Sequence, residues 1–471
     1  MLFATLMATL ITAGAAGCSH LDRMKPTIQA FESGSYAKAE STYESLLEGR
    51  RESNKDRTLY ELEGGAIFAA AGDIERSMGA LNYADEEMWK YLDEAPDVRV
   101  TEQAAAILTN QTIVTYRGTT YDRVMCSTYQ ALNHLARGNL EAAGVSLRRA
   151  YEWQRDAVEK NAKEIEALEE KANAAGASKG YDAKAAQKDP NTRAGLDSAY
   201  GEIRDMKGYA EFAVPYSTYL QALRFQLTGR SDEMAQATVA YRRVVGMLPE
   251  ADRAYVEEDA KLAEAVSQGA PMPSMVYVLC ETGMAPELVE FKISIPLFIR
   301  QVPYVGAAFP VLKFQGGAAS SFIVRAGNAR YSSSTLTDMD SVIGGDFNRR
   351  LPAIITMTLV SSATKAIATY LAEEAANRSS KTAAWIASIG GAIYQLATNS
   401  ADLRTWLTLP KQVLYARFPA PADGSFEVDL GDGQKIGPIA VESGGTTIVH
   451  VRAPRAGAPP AVRTMRFPQQ R

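Results

Sequence analysis

Side chains that commonly do chemistry are scarce in this chain. Among 471 residues there are three histidines, His20, His134 and His450, and three cysteines, Cys18, Cys126 and Cys280. A nucleophile needs a base within hydrogen-bond reach, and a zinc site needs Cys or His ligands at short, regular spacing. Apart from His20, two residues after Cys18, none of the six residues has such a neighbour in sequence, and neither HExxH nor GxxxxGK occurs. Gly344-Gly345 and Gly444-Gly445 lack the strand-loop-helix frame that cradles a phosphate. Cys126 and Cys280 read as small buried hydrophobes; a disulfide between them would have to bridge two separate regions. The expectation is a protein that is not an enzyme, with no cofactor and no metal.

Cys18 is the exception. It follows LFATLMATLITAGAAG, residues 2–17, which carry no charge. That run is shorter than the roughly 20 residues of a comfortable membrane span and has the length of a signal peptide. Ala15-Ala16-Gly17 places small residues immediately before the cysteine. The stretch resembles a bacterial lipobox, although Ala15 stands where Leu is usual and no Lys or Arg precedes the apolar run. The resemblance implies removal of residues 1–17, thioether attachment of diacylglycerol to Cys18 and acylation of its amine with a palmitate-type chain. At about 0.8 kcal/mol per buried methylene, several chains make a stable anchor. Ser19, where Asp would mean retention, implies an outer-membrane, periplasm-facing address. The alternative is a secretory signal followed by an incidental cysteine.

The elements that follow read as a folded protein: 46% of residues are hydrophobic and 22% charged. The net charge of -5 comes from 50 basic and 55 acidic side chains without a basic cluster, which argues against nucleic acid as a partner. Residues 18–269 are patterned for helices. A turn glycine, a larger residue soon after and small residues at helical spacing recur at Gly34, Gly72, Gly138 and, more weakly, Gly229. The pattern resembles the tetratricopeptide helix pair, but the unequal intervals do not keep its period of about 34. A tetratricopeptide-like array with insertions is expected, or else a generic helical bundle. Such an array offers a concave surface to a partner segment, and Tyr36, Phe68, His134 and Phe225 are the candidate partner-binding residues on the repeat helices. Within it, the polar stretch 159–195 is expected to project as a charged helical arm ending in a mobile loop.

Gly269-Ala-Pro-Met-Pro-Ser274 marks a domain boundary, and residues 270–453 read as a mixed α+β domain with its own core. Strands are expected at 275–280, 288–295, 307–314, 321–325, 412–418, 425–430 and 446–451. Two core helices are expected at 339–376, broken at Pro352, and at 381–398; both are too short or too interrupted to span a membrane. The tail, 454–471, is expected to be disordered. The fold class is therefore α+β multidomain, a helical array followed by a domain with antiparallel strands.

The lipobox, the Gly72-Asp73-Ile74 turn, the strand entry Ala285-Pro286-Glu287-Leu288-Val289-Glu290-Phe291 and the run Ala401-Asp402-Leu403-Arg404-Thr405-Trp406-Leu407-Thr408-Leu409-Pro410 together resemble an uncharacterised family of bacterial envelope lipoproteins. Members are often encoded near activator lipoproteins of penicillin-binding proteins, which implies a role around peptidoglycan synthesis. Asp402, Arg404 and Trp406 are expected to form a structural clip, an ion pair beside a stacked indole. The functional expectation is a lipid-anchored scaffold that binds envelope proteins through its helical repeats. The alternatives are a subunit of a secretion or surface-assembly channel and a cell-wall-active enzyme.

Overall fold

The computed structural model describes residues 20–48, 55–93, 114–206, 208–209, 212–299, 302–379, 401–431, 433–441 and 443–468. Cys18, the signal stretch and the helix expected at 381–398 lie outside these residues. The fold is α+β. Among the described residues eleven α-helices precede the first strand, and a twelfth is inserted among the strands.

Helices come first as pairs: α1 (His20–Glu32) with α2 (Tyr36–Glu48), α3 (Arg57–Ala71) with α4 (Ile74–Asp93), and α5 (Thr120–Ala136) with α6 (Leu140–Ser178). Later come α7 (Ala183–Lys188), α8 (Pro190–Arg204), α9 (Pro215–Leu227), α10 (Ser231–Met247) and α11 (Ala254–Ser267). Each marker glycine turns the chain between two packed helices with left-handed backbone: φ is 72° at Gly34, 92° at Gly72, 70° at Gly138 and 67° at Gly229. Close approach is set elsewhere. A Cβ on Gly64 would lie 2.3 Å from the Tyr43 hydroxyl, and one on Gly65 would lie 2.4 Å from Leu81, so these two glycines let α2 and α4 settle onto α3.

The polar stretch 159–195 does not project. α6 continues to Ser178, and α7 and α8 fold back against the long helix α12 (Met339–Ser379) and the sheet hairpin beside it. Ala172, Gly176, Ala183 and Ala186 are buried. A Cβ on Gly176 would meet a Val360 methyl at 3.0 Å, Gln187 donates to Thr356 Oγ1 at 3.2 Å, and the Tyr200 hydroxyl donates to the Pro310 carbonyl at 2.9 Å. Small side chains, rather than the large aliphatics that the stretch lacks, make this contact. α12 runs unbroken through Pro352. Over Met339–Ala372 it is long and apolar enough to cross a bilayer, but 72% of its most apolar part is buried inside the fold.

Strands β1 (Met275–Thr282), β6 (Ser334–Asp338), β7 (Gln412–Pro419), β10 (Gly445–Ala453) and β11 (Ala461–Pro468) form a five-stranded sheet in the order β11-β10-β1-β7-β6. β1 at its centre pairs parallel with β10 and antiparallel with β7. β2 (Glu287–Ile299) and β3 (Val302–Lys313) form a long hairpin packed on α12. β4 (Ile323–Ala326), β5 (Ala329–Ser332), β8 (Ser425–Asp429) and β9 (Lys435–Ala440) make a second sheet, ordered β5-β4-β8-β9. The expected disordered tail is thus corrected: Ala461–Pro468 is an edge strand on β10, with Met465 and Phe467 buried. Its alternation of Val462, Thr464 and Arg466 against Arg463, Met465 and Phe467 is a period-2 signal.

Alternation along β1 divides the interior. Met275, Tyr277 and Leu279 face the helices, and Val276, Val278 and Cys280 face the second sheet. The second core is the C-terminal domain's own. The first is continuous from Leu59 of α3 to Phe467 of β11, so the composition change at 269 separates helices from strands without separating two cores.

Candidate functional site

The helix-facing side of the five-stranded sheet carries a cluster of charged side chains whose positions follow from register. Arg452 on β10 stands opposite Glu281 on β1, and Arg463 on β11 stands opposite His450 on β10. Residues 450 and 452 share one face of β10, so three strands deliver Glu281, His450, Arg452 and Arg463 to one spot. Tyr129 and Asn133 reach it from α5, and the last turn of α3, Ala69 to Gly72, closes over it. The enclosed cavity is about 370 Å³.

Glu281 is 1% exposed. His450 Nε2 lies 3.0 Å from its Oε1, and the Tyr129 hydroxyl donates to Oε2 at 3.0 Å. Burial alone pushes this carboxyl up, but the His450 and Arg452 charges and these hydrogen bonds outweigh it and hold Glu281 below the usual carboxylate range. Arg452 donates to the carbonyls of Glu281 (3.3 Å) and Thr408 (3.1 Å). Arg463 donates to the Ala69 carbonyl at 2.7 Å, satisfying an acceptor at the end of α3.

Two further buried carboxylates tie helices to later parts of the chain, Glu63 to the segment before β7 and Asp259 to strands β1 and β7. Glu63 of α3 accepts from the amides of Leu407 (2.7 Å) and Thr408 (3.0 Å) and from the Thr408 hydroxyl (2.6 Å), with His20 Nε2 at 3.3 Å. Asp259 of α11 accepts from the Tyr219 hydroxyl (2.8 Å), the Tyr277 hydroxyl (3.2 Å) and Arg417 Nε (2.9 Å). Burial pushes Asp259 up to about 6 even against the Arg417 charge. These two have their partners inside the fold and line none of the three cavities described.

A second cavity, about 260 Å³, lies between Tyr116, Tyr121, Phe347, Arg350 and Arg404. Arg404 pairs with Asp402 (2.7 Å) and Asp56 (2.9 Å), which bears out the expected ion pair. The indole is elsewhere: the Arg404 guanidinium lies 5.6 Å over the Tyr116 ring, whereas Trp406 meets Tyr129 edge-on at 5.7 Å and donates to Thr408 Oγ1. A third cavity, about 170 Å³, has Asp85, Arg149 and His134 on its rim. Burial and the Arg137 charge lower His134 from its ordinary range.

The four candidate partner-binding residues do not converge. Tyr36 and Phe68 are corrected from outward to inward roles. The Tyr36 hydroxyl lies 3.1 Å from the Arg452 carbonyl and 3.0 Å from that of Pro459, and it accepts the Ala461 amide at 3.1 Å. Phe68 is buried, edge-on to Tyr43 at 5.5 Å. His134 is at the third cavity, and Phe225 is half-buried on the main core. Cys126 and Cys280 are both buried. Among the described residues no three His, Cys, Asp or Glu side chains could jointly hold a metal ion.

Three stretches carry nucleophile spacings that the sequence reading passed over. Gly176-Ala177-Ser178-Lys179-Gly180 matches GxSxG, but Ser178 ends α6 and its hydroxyl donates to the Ala175 carbonyl, with no preceding strand to form an elbow. Ser35 and Lys38 match SxxK and are exposed at the start of α2. Ser362 and Lys365 also match it within α12; both are buried, and burial lowers Lys365 to about 8. None of these residues lines the three cavities. The site that does gather charge, Glu281 with His450, Arg452 and Arg463, was legible only through strand register.

The fold and the cluster define an α+β protein with a basic cavity where its helical and sheet parts meet. No protein-family model, curated protein or solved structure matches the chain.

Proposed function

We propose that the protein is a lipid-anchored scaffold of the bacterial cell envelope, held at the periplasmic face of the outer membrane through Cys18 and docking envelope proteins on its helical part. The observation that carries this reading is the packing of His20, which opens α1 two residues beyond Cys18, is 5% exposed and contacts Glu63. An acyl anchor on Cys18 would hold α1 close to the bilayer. Anchoring raises the local concentration of binding partners.

A docking face is available on the helical part. Its exposed large hydrophobics are Val145, Tyr151 and Val158 of α6 and Val239 of α10, and Arg243 of α10 lies 5.2 Å over the Tyr151 ring. That pairing joins the two helices into one patch, a better candidate than Tyr36 or Phe68. A link to peptidoglycan synthesis rests on the family resemblance alone.

The test is the mass of the mature N-terminus after expression in a bacterial host. Diacylglyceryl and acyl groups on Cys18, lost together with membrane retention in Cys18→Ser, are expected. An unmodified Cys18, or persistence of residues 1–17, would sink the anchored reading.

A further inference from the structure

The cavity between α3, α5 and the five-stranded sheet holds more positive charge than its own walls neutralise. The guanidinium groups of Arg452 and Arg463 face a single carboxylate, Glu281. Both oxygens of Glu281 are committed, Oε1 to His450 and Oε2 to Tyr129, with Arg452 Nε 3.9 Å away. Arg463 has only neutral acceptors, the Ala69 carbonyl at 2.7 Å and the Asn133 side-chain oxygen at 3.5 Å. Among the described residues no carboxylate forms an ion pair with it. Arg452 is 6% exposed, and its Nε makes no hydrogen bond.

A guanidinium drawn out of water without a counter-charge is costly, and its planar fork matches the two oxygens of a carboxylate. Ala66, Ala69, Ala70 and Ala71 of α3 also line the cavity and offer no side-chain hydrogen bonds, with the Ala69 carbonyl beside Arg463. The lining therefore combines guanidinium groups with methyl groups. Its volume, about 370 Å³, falls near the lower end of ligand pockets, roughly 300–1,000 Å³.

We propose that this cavity binds a small organic monoanion, a carboxylate on a short aliphatic body, with the carboxylate against Arg463 and the body against the alanines. The carboxylate is either that of a free short-chain acid or the C-terminus of a peptide. The proposal stands independently of the anchored-scaffold reading, since an unacylated chain would bind equally.

Calorimetric titration of the full mature chain at low salt, with butyrate, N-acetyl-Ala-Ala and the C-terminal amide of that dipeptide, tests it. Binding of the dipeptide acid but not of butyrate assigns a chain terminus, and comparable binding of both assigns a free acid. Binding of the amide as tightly as the acid, or no binding of any of the three at millimolar concentration, overturns the proposal. Arg463→Gln is expected to weaken binding about tenfold or more, the scale of a lost charge-assisted hydrogen bond. Because Arg463 also caps α3, Ala69→Leu provides a second arm that keeps every charge and fills the space. A folded Ala69→Leu variant, verified by circular dichroism, that binds like the wild type would also overturn the proposal.

Discussion

Glu63 shows how much one buried carboxylate can hold. It is wholly buried and accepts from two backbone amides and a hydroxyl of the 407–408 segment, 344 residues away in sequence from the nearer of them. Glu63→Gln keeps the shape but turns one acceptor into a donor facing those groups. It should cost about 2–3 kcal/mol, read as a lowered midpoint in urea unfolding. Glu281 makes a pH-dependent contribution. Its folded carboxyl is held below the ordinary glutamate range, so its stabilisation is present above that range and is lost as pH falls through the lower, folded one. Glu281→Gln should therefore destabilise the protein at pH 7, and the gap from wild type should shrink as both are titrated below about pH 4. A gap that stayed constant across that range would assign the effect to packing instead. Neither carboxylate could be ranked in sequence, because acidic residues are common along the chain and burial follows from which faces meet in the fold.

Among the helices, two kinds of glycine make different predictions. Gly64 and Gly65 sit where side chains of α2 and α4 press onto α3. Alanine at either site overpacks the contact and should cost about 1–3 kcal/mol. Gly138 has open space around its missing Cβ and only its left-handed φ of 70° to defend, so Gly138→Ala should cost about 1 kcal/mol. Thermal melts of the three variants compare them directly. The turn glycines were legible because a left-handed turn leaves a recurring mark in sequence. The Gly64-Gly65 contacts were not, because nothing local announces that another helix passes within reach. The same limit explains the 159–195 stretch: its alanines and Gly176 looked too small to anchor anything, yet smallness is what admits α12. Strands with clear alternation, β1, β2 and β7, lie where the pattern placed them; short β5 and β6 gave too few residues for a period to register.

At the scale of the molecule, one core runs from the helices into the five-stranded sheet. A fragment of residues 18–269 would expose the faces of α3, α5, α9 and α11 that now meet β1, β7 and β10. It should lack a cooperative unfolding transition, whereas the full chain should show the helical and sheet signals melting together; circular dichroism and aromatic fluorescence followed through one denaturant series check both. The domain boundary at 269 was a correct reading of composition and an incomplete reading of structure, since composition reports element type and not which elements share an interior.

The parallel pairing of β1 with β10 also has a consequence for timing. The sheet's central strand leaves the ribosome well before its neighbour on one side, residues 445–453, and the edge strand beyond it. Until they arrive, β1 has an open edge, Gly34 lacks the Pro459 carbonyl that a Cβ there would strike, and Tyr36 lacks its hydrogen-bond partners in the last hairpin. Folding that depends on such distant pairings is slow to begin. Closure of this sheet therefore waits for residues 445–468, and a chain stalled before residue 445 would remain open to chaperones and proteases.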